Sequence, residues 1–206
     1  MKIITLNNND MQQNIYLYFD ESTKEGIIID PGDGSADIIA AINENGIKIK
    51  GILLTHGHFD HIAAANEVKA HTSAQICAHK QEQVMLEDPE INLSVRVGKN
   101  ISTTADVLFV DGDVFTFAST RLKIIHTPGH TPGCVCYYDE KNAVLFSGDT
   151  LFKGSVGRTD LPKSDTNQLK DGIKNKLFSL PSDVVVYPGH GGCTAIGHEK
   201  EFNPFV

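Results

Sequence analysis

Apolar runs separated by polar turn-forming residues organise the first half of the chain. Three β-rich runs divided by Asn, Asp and charged residues predict an antiparallel meander of strands at 2–6, 15–19 and 26–30. Ser35 is placed to cap a helix over 36–44, which Asn45-Gly46 would end. The pattern then predicts a strand at 49–54, a helix from Asp60 to about Ala70, a strand at 75–78 and a short helix at 80–86. This succession of strands and helices indicates an α/β protein.

The second half is separated from the first by a long polar stretch at 87–105 that shows no clear period. A loop of this length is typical either of a lid over a site or of an irregular surface excursion. Beyond it, one helix is predicted over 166–180, and strands are predicted at 107–110, 114–117, 121–127, 134–139, 143–147 and 184–187. Because strands are followed by a helix in each half, we expect two β-sheets packed face to face with helices outside.

Size and charge narrow the class of protein. A chain of 206 residues with 40% hydrophobic content can bury a substantial core, and we expect one domain spanning 1–206. The formal net charge is −8 and no Lys/Arg run occurs, which argues against a nucleic-acid partner, since such proteins need a basic face. The sequence leaves the oligomeric state open.

No targeting or membrane segment is predicted. The apolar stretch 1–6 runs directly into the polar residues 7–10 and is too short for a signal peptide, and no later stretch could span a bilayer. We therefore expect a cytoplasmic protein without a membrane partner. The four cysteines form no C-x-x-C pair and are predicted to be buried free thiols: Cys77, Cys134, Cys136 and Cys193.

The densest group of potential metal ligands follows the predicted strand at 49–54. Three histidines and an aspartate occupy seven residues in the turn Thr-His-Gly-His-Phe-Asp-His at 55–61. His56 and His58 are two apart on an extended segment and can point to the same side, whereas Asp60 and His61 leave the start of a helix in another direction. Two neighbouring metal ions are therefore easier to bind than one.

Three more candidate ligands stand at predicted strand ends, each after an apolar run and a glycine: His130, Asp149 and His190. Glycine lets the backbone turn sharply and approach a site closely. One such motif would be weak evidence, but three together with the 55–61 turn strongly indicate a metal centre.

The ordered motif set resembles the metallo-β-lactamase fold hydrolases over nearly the full chain. It comprises His-x-His-x-Asp-His, then Gly-His at 129–130, Gly-Asp-Thr at 148–150 and Gly-His-Gly at 189–191. The resemblance implies a four-layer αβ/βα sandwich of two mixed β-sheets flanked by helices. Within that superfamily the chain is similar to the short glyoxalase II-like (hydroxyacylglutathione hydrolase-like) proteins, through Gly-Asp-Thr-Leu-Phe at 148–152, Gly-Arg-Thr-Asp at 157–160, Tyr-Pro-Gly-His-Gly at 187–191 and Asn-Pro-Phe at 203–205.

Carried over by position, the resemblance implies a ligand set for two divalent metal ions. One ion would be bound by His56, His58 and His130 and the other by Asp60, His61 and His190, with Asp149 bridging them. Zinc is expected first, and these N and O ligands also suit iron or manganese. Histidine at 58, in place of the glutamate of di-iron flavoprotein relatives, favours zinc hydrolysis over oxygen reduction.

The implied reaction is hydrolysis of a small-molecule thioester, hydroxyacylglutathione, by a metal-bridging hydroxide that Asp60 would orient and deprotonate. We expect no C-terminal helical domain of the kind that supplies much of the glutathione contact in full-length glyoxalase II. Two alternatives remain open. One is a persulfide dioxygenase of the same fold, which shares the Gly-Arg-Thr-Asp segment and uses one iron. The other is a non-catalytic metal-binding protein, although structural zinc sites are usually closed and rich in cysteine.

Two roles are open for Arg158. By resemblance it would contact the anionic end of the substrate, as the basic residue after Gly-Asp-Thr-Leu-Phe does in glyoxalase II. Asp160 stands where an aromatic residue is expected there, and a pair between Asp160 and Arg158 would make the arginine structural. Of the remaining histidines, His126 is predicted to support a ligand or to be a satisfied strand residue, and the others are predicted to be solvated: His71, His79 and His198.

Overall fold

The computed structural model describes residues 1–7 and 11–206, so part of the polar stretch expected after the first strand lies outside the described residues. The strands are β1 Lys2–Leu6, β2 Ile15–Phe19, β3 Glu25–Ile29, β4 Lys48–Leu53, β5 Ile76–His79, β6 Val107–Phe109, β7 Val114–Phe117, β8 Thr120–His126, β9 Val135–Asp139, β10 Val144–Gly148, β11 Leu151–Phe152, β12 Ser155–Val156, β13 Val185–Pro188 and β14 Thr194–Ala195. The α-helices are α1 Ser35–Asn45, α2 Phe59–Ile62, α3 Ala65–Thr72, α4 Gln83–Glu87, α5 Thr166–Asn175 and α6 Ile196–Phe202, and 3-10 turns cover Lys80–Glu82, Ser94–Val97 and Leu177–Ser179.

Two six-stranded mixed sheets form the centre of the fold. The first has the order β1-β2-β3-β4-β5-β6 and the second β14-β13-β10-β9-β8-β7. The meander β1-β2-β3 is antiparallel as expected, and β4, β5 and β6 then add in parallel. In the second sheet β10 and β13 are parallel neighbours, because α5 connects them across the outer face.

Alternation along the strands builds three apolar layers between four layers of structure. Ile15, Leu17 and Phe19 of β2 face the helices α1 and α3, whereas Tyr16 and Tyr18 of the same strand face the second sheet. The outer face of the second sheet packs on α5 and α6 through Leu145, Leu169, Ile173 and Ile196. The predicted αβ/βα sandwich of two mixed sheets flanked by helices is confirmed.

The helix predicted from Asp60 to about Ala70 is wrong as a single element, because it breaks into α2 and α3. The N–H of Ala64 donates to the Pro31 carbonyl at 2.9 Å instead of continuing the helix ladder. Gly32 of the same turn comes so close that a Cβ there would lie 1.7 Å from the Asp60 carbonyl oxygen. The turn after β3 therefore interrupts the helix and fixes the position of α2, which carries Asp60 and His61.

Smaller expectations also need correction. Ser35 does not cap α1, because the N-cap is Gly34 in a left-handed conformation with no side-chain cap bond. The helix predicted over 166–180 ends at Asn175 and tightens into the 3-10 turn Leu177–Ser179. The sequence analysis did not predict the hairpin β11–β12 or the strand β14, since two-residue strands are too short to show a period. It also did not predict the helix α6.

Two side chains lie in environments opposite to those expected. His79 is only 3% exposed, because β5 is buried on both faces, and its ring stacks on that of His126 at 4.0 Å between centroids. Cys193 is exposed, whereas the other three cysteines are buried free thiols as expected. Among the described residues, no helix is long and apolar enough to cross a membrane.

Candidate metal centre

The candidate ligands all follow the carboxyl ends of strands. His56 and His58 follow β4, His130 follows β8, Asp149 follows β10 and His190 follows β13. The parallel pairs β3–β4 and β10–β13 present these ends at one edge of the sandwich. Asp60 and His61 lie one turn further on in α2. The sheets therefore direct side chains from four separate segments of the chain into a common space.

The first set of ligands, called here the three-histidine group, consists of His56, His58 and His130. One ring nitrogen of each lies within 4.8 Å of the others. His58 Nδ1 is 3.0 Å from His130 Nε2, although 72 residues separate them along the chain. All three side chains are buried.

The second set, called here the mixed group, consists of Asp60, His61 and His190, whose ligand atoms also lie within 4.8 Å of one another. His190 Nε2 is 3.3 Å from Asp60 Oδ2 and 3.4 Å from His61 Nε2. Asp149 stands between the two sets, because one of its oxygens is 3.5 Å from His61 Nε2 and the other is 3.6 Å from His130 Nε2. The structure thus brings together all seven residues that the sequence singled out.

Hydrogen bonds at the far ring nitrogens orient four of the five imidazoles. The Nδ1–H groups of His61, His130 and His190 donate to oxygens of Asp30, Arg158 and Met11, at 2.9, 2.8 and 3.2 Å. Thr55 Oγ1 donates to Asp30, so it accepts from His56 Nδ1 at 3.1 Å. With the far nitrogen carrying a hydrogen, Nε2 is the nitrogen that faces the centre, and in the neutral imidazole it offers the lone pair that a metal ligand needs.

Buried polar atoms without partners show that these residues fit metal ions. Within the described residues, His56 Nε2, His58 Nε2 and Asp149 Oδ1 have no hydrogen-bond partner. Such atoms are costly in a native protein unless an ion or water satisfies them. Gly189 leaves the space open, since a Cβ at that position would lie 2.2 Å from Asp149 Oδ1. The donor set of imidazole nitrogens and carboxylate oxygens suits zinc, iron or manganese.

The pKa values of the histidines shift in opposite directions in the two groups. In the three-histidine group, burial lowers the pKa of His56 well below its usual value, that of His58 to about 3, and that of His130. These imidazoles are therefore neutral at pH 7, which is the form that binds metal.

In the mixed group, burial by itself would lower the pKa of His61, but the carboxylates of Asp149, Asp60 and Asp30 raise it to about 10. Burial would also lower the pKa of His190, and its hydrogen bond with Asp60 raises it instead. Asp60 is held well below its usual pKa by His61 and His190, although burial opposes this. The carboxylates around these two imidazoles therefore favour positive charge at this position, as a proton or as a bound cation.

Two buried carboxylates that support the centre were missed by the sequence analysis. Asp30, directly after β3, accepts hydrogen bonds from the Thr55 backbone N–H, the Thr55 hydroxyl and His61. Glu82 accepts from the backbone N–H of Gly57 at 2.9 Å and from that of Gly133 at 2.7 Å. A carboxylate directly after a buried strand could have pointed to Asp30, but Glu82 has no such signal.

Glu82 joins the two loops that carry the three-histidine group. Gly57 lies between His56 and His58, and Gly133 lies three residues after His130. A Cβ on Gly133 would lie 2.4 Å from Glu82 Oε2, so glycine is needed for this approach. Burial raises the pKa of Glu82 to about 7, although the backbone N–H groups favour its charged form.

A cavity of about 500 Å³ opens beside the centre. Its walls include His58, Asp60, His130, Asp149 and His190, with an apolar surface and two arginines: Met11, Phe59, Leu93, Val97, Phe152, Val156, Leu161, Arg96 and Arg158. Arg158 therefore lies in the cavity wall, and its backbone carbonyl rather than its side chain holds His130. The polar stretch 87–105 supplies part of the wall through the 3-10 turn Ser94–Val97.

A four-layer αβ/βα sandwich with a histidine and aspartate centre at its strand ends defines a class of metallo-hydrolases. Residues 8–190 match the family described as the Metallo-beta-lactamase superfamily, and the chain belongs to that superfamily. Among its relatives, it is 37% identical over 198 residues to the hydroxyacylglutathione hydrolase GloC of Haemophilus influenzae, a match that covers 95% of this chain and 93% of GloC.

Solved structures agree with the fold. The chain is similar to BLEG-1, described as a B3 metallo-β-lactamase, with a TM-score of 0.95, 40% identity and coverage of 99% of both chains. It is also similar to TTHA1623, crystallised in a di-iron-bound form, with a TM-score of 0.87, 35% identity and coverage of 100% of both chains.

Proposed function

We propose that this chain is a metal-dependent hydrolase of hydroxyacyl thioesters, with glutathione as the first thiol to test. The observation that carries the proposal is the convergence of five imidazoles and two carboxylates on one space, with buried lone pairs unsatisfied, beside an open cavity. The similarity to GloC supports the substrate class. We further propose that residues 1–206 act as one cytoplasmic domain and that the substrate is a small molecule. The net charge of −8 argues against a nucleic-acid substrate.

We propose that the three-histidine group holds one divalent ion and the mixed group the second, with Asp149 shared between them. The distances within each group and the position of Asp149 support this division. Zinc is the first expectation because the imidazole-rich set suits it, and iron is the main alternative because TTHA1623 binds two irons.

When bound, two divalent ions supply a nucleophile from water near neutral pH and polarise the attacked carbonyl. The chain supplies orientation and proton transfer. Asp60 is ionised at neutral pH and faces the cavity, so it can align the attacking water and accept its proton. The acyl C–S bond breaks and a C–O bond forms, so the products are a carboxylate and a thiol and no redox partner is needed.

The leaving group favours a thioester over an amide. A thiolate leaves without a strong general acid, whereas an amide nitrogen must be protonated. Apart from the candidate ligands, the ionisable side chains in the described cavity wall are the arginines Arg96 and Arg158, which do not give up protons. The site is thus better matched to a good leaving group.

A second candidate activity is β-lactam hydrolysis. It is favoured by the similarity to BLEG-1 at 40% identity over nearly the whole of both chains. Ring strain activates a β-lactam, so its need for a general acid is smaller than that of an ordinary amide. The two reactions use the same nucleophile and can be compared on one preparation.

The test is an anaerobic assay of the metal-loaded protein with S-D-lactoylglutathione and, separately, with a chromogenic cephalosporin. Hydrolysis of the thioester without oxygen is the expected result, and Asp149→Asn is the control for a contaminating esterase. Turnover of the cephalosporin alone would favour the second candidate. Oxygen uptake with glutathione persulfide and no thioesterase activity would favour the dioxygenase, and bound metal without any turnover would favour a non-catalytic protein.

A further inference from the structure

We propose that Arg96, rather than Arg158, binds an anionic group of the substrate, and that the substrate is therefore a thioester bearing a carboxylate. This inference rests on the proposed thioesterase function and names both a specificity residue and the charge of the ligand. It depends on three features of the cavity wall: the partners of the two arginines, the attachment of the segment that carries Arg96, and the apolar surface around it.

The charge of Arg158 is already balanced. Its Nε and Nη2 donate to the two carboxylate oxygens of Asp160 at 2.7 and 2.8 Å, in the two-pronged geometry that satisfies a guanidinium best. Asp160 would also repel a second carboxylate brought to the same place. A substrate anion at Arg158 would have to share the guanidinium with this partner or displace it.

Arg96 has no such partner. Within the described chain, the lysines and arginines with a carboxylate inside 4.0 Å are Lys50, Lys69, Lys99, Lys176 and Arg158. Arg96 lines the same cavity as Arg158 and the candidate ligands. It is therefore the cation in this wall whose charge is available to a ligand.

The segment that carries Arg96 is fastened to the metal centre. The carbonyl of buried Asn92 accepts from the Phe59 N–H at 3.0 Å, directly beside Asp60, and the Asn92 amide donates to the Ile101 carbonyl at 2.8 Å. Leu93 adopts a left-handed backbone conformation, φ 72°, which is unfavourable for leucine and turns the chain into the cavity wall. The backbone that leads into Arg96 is thus attached to the loop that carries the ligands.

Arg96 is exposed to solvent, and a ligand bound to it would cover the guanidinium and lie against apolar side chains of the cavity wall. Phe59, Leu93, Val97 and Phe152 contribute apolar surface to the same cavity. Excluding water around an ion pair lowers the effective dielectric constant and strengthens the pair. The apolar surface accommodates the chain of the substrate, and the guanidinium accommodates a terminal carboxylate.

The test uses three thioesters of matched size and the metal-loaded full chain. They are the S-lactoyl thioester of N-acetylcysteamine, which is neutral, the S-lactoyl thioester of 3-mercaptopropionate, with the charge on the thiol side, and the S-succinyl thioester of N-acetylcysteamine, with the charge on the acyl side. Arg96→Gln is expected to raise KM about 10- to 100-fold for at least one anionic thioester, with kcat within about twofold, since the contact is equal in ground and transition states. The neutral thioester should be affected less than about threefold.

Three further variants separate charge from shape. Arg96→Lys should recover part of the lost affinity because it keeps the charge but loses the planar fork. Lys99→Gln removes the same charge from the same segment, where Lys99 already pairs with Asp33, and should change KM for the anionic thioesters by less than about threefold. Arg158→Gln should likewise lack an anion-selective effect. Equal losses on neutral and anionic thioesters in Arg96→Gln, or an anion-selective loss in Arg158→Gln instead, would overturn the proposal.

A binding measurement keeps this result distinct from the proposed reaction. Calorimetry with a thioether carboxylate, 3-(propylthio)propanoate, and with the corresponding primary amide needs no turnover. Arg96→Gln should weaken binding of the carboxylate about tenfold or more and leave the amide unchanged. If the wild type hydrolyses no thioester but shows this selectivity, only the reaction is wrong. If it hydrolyses thioesters and Arg96→Gln binds the carboxylate like the wild type, only the role of Arg96 is wrong.

Discussion

The two halves of the candidate centre are built on different principles. The three-histidine group is buried and neutral, contains no carboxylate of its own, and is organised from behind by Glu82 through backbone N–H groups. The mixed group contains Asp60, has Asp30 behind His61, and reaches solvent at His190, whose side chain is 28% exposed. The three-histidine group is thus positioned mainly by hydrogen bonds to loop backbone, and the mixed group mainly by contacts between carboxylates and imidazoles.

This difference indicates what each half contributes. Neutral, preorganised imidazoles bind a metal with little proton release, but they do little to balance its charge. The mixed group balances charge well and leaves an open side facing the cavity, where substrate and water can approach. Asp149 lies in contact range of both halves and is the residue that we propose they share.

The largest expected effect comes from removing the shared residue. Asp149→Asn should lower turnover by roughly three orders of magnitude or more, because it weakens the charge balance of both halves at once. Metal bound only to the folded protein stabilises it, so a chelator should lower the Tm of the wild type more than that of the variant. Equal shifts in the two proteins would count against metal binding here. The measurements are steady-state kinetics, elemental analysis and thermal unfolding.

Removing one ligand from each half should separate them. His56→Ala and His190→Ala should each reduce bound metal from about two equivalents towards one, since each opens a single site. His56→Ala should also destabilise the metal-free protein by about 2–4 kcal/mol because it leaves a buried cavity, whereas His190→Ala should change that stability by less than about 1 kcal/mol. Loss of all metal from both variants would show that the halves are not separable.

The two supporting carboxylates give a finer test, measured at pH 6. Glu82→Gln should weaken metal binding by the three-histidine group about 10- to 100-fold, and Asp30→Asn should do the same for the mixed group. In each case an amide N–H₂ would face a hydrogen-bond donor, at a cost of about 1–3 kcal/mol in the free energy of unfolding. Metal titration with elemental analysis measures the affinity, and denaturant unfolding measures the stability.

Glu199 offers a matched control for that pair. It is equally buried and holds loops together through Gly154, Thr194 and Asn203, away from the ligands. Glu199→Gln should lose similar stability while keeping wild-type metal affinity. If its metal affinity falls as far as that of Glu82→Gln, general loosening of the fold explains both results.

Stability of the metal-free protein should depend on pH through Glu82. Its pKa is raised from 4.5 to about 7 in the folded state, so between these values the folded protein holds a proton that the unfolded chain has released. Its contribution is therefore fully present below about pH 4.5 and is lost as pH rises to 7, by up to about 3 kcal/mol. Urea unfolding from pH 5 to 8 should show a smaller fall for Glu82→Gln than for the wild type and Glu199→Gln. Parallel curves for all three proteins would contradict this assignment.

The smallest effect is expected from the side chain of Arg158. Arg158→Ala keeps the backbone carbonyl that accepts from His130, so metal content and kcat should stay near those of the wild type. The lost pair with Asp160 is at the surface, where such pairs contribute little, and Tm should change by less than about 2 °C. A marked rise in KM for glutathione thioesters would instead restore the substrate contact that the resemblance implied for Arg158.

Much of the architecture was predictable from the chain because its signals are local. Apolar runs, glycine turns and ligand spacing indicated most strands along the chain in both halves and all seven residues that the structure brings together. The break between α2 and α3 was not predictable, because the competing bond comes from Pro31, more than thirty residues away. His79 was misplaced for a related reason, since the strand predicted at 75–78 includes His79 as well and is buried on both faces.

The sequence by itself determined which residues can bind metal, since residue type fixes where the imidazole and carboxylate groups and the neighbouring glycines stand in the chain. The tertiary structure decided how they work together. It selected the ring nitrogen that faces the centre, by placing oxygens of Asp30, Thr55, Met11 and Arg158 at the opposite nitrogen. It also placed Glu82 between two loops and paired Arg158 with Asp160 while leaving Arg96 free within the described chain. These contacts join distant segments and involve backbone groups common to every residue, so no local sequence pattern predicts them.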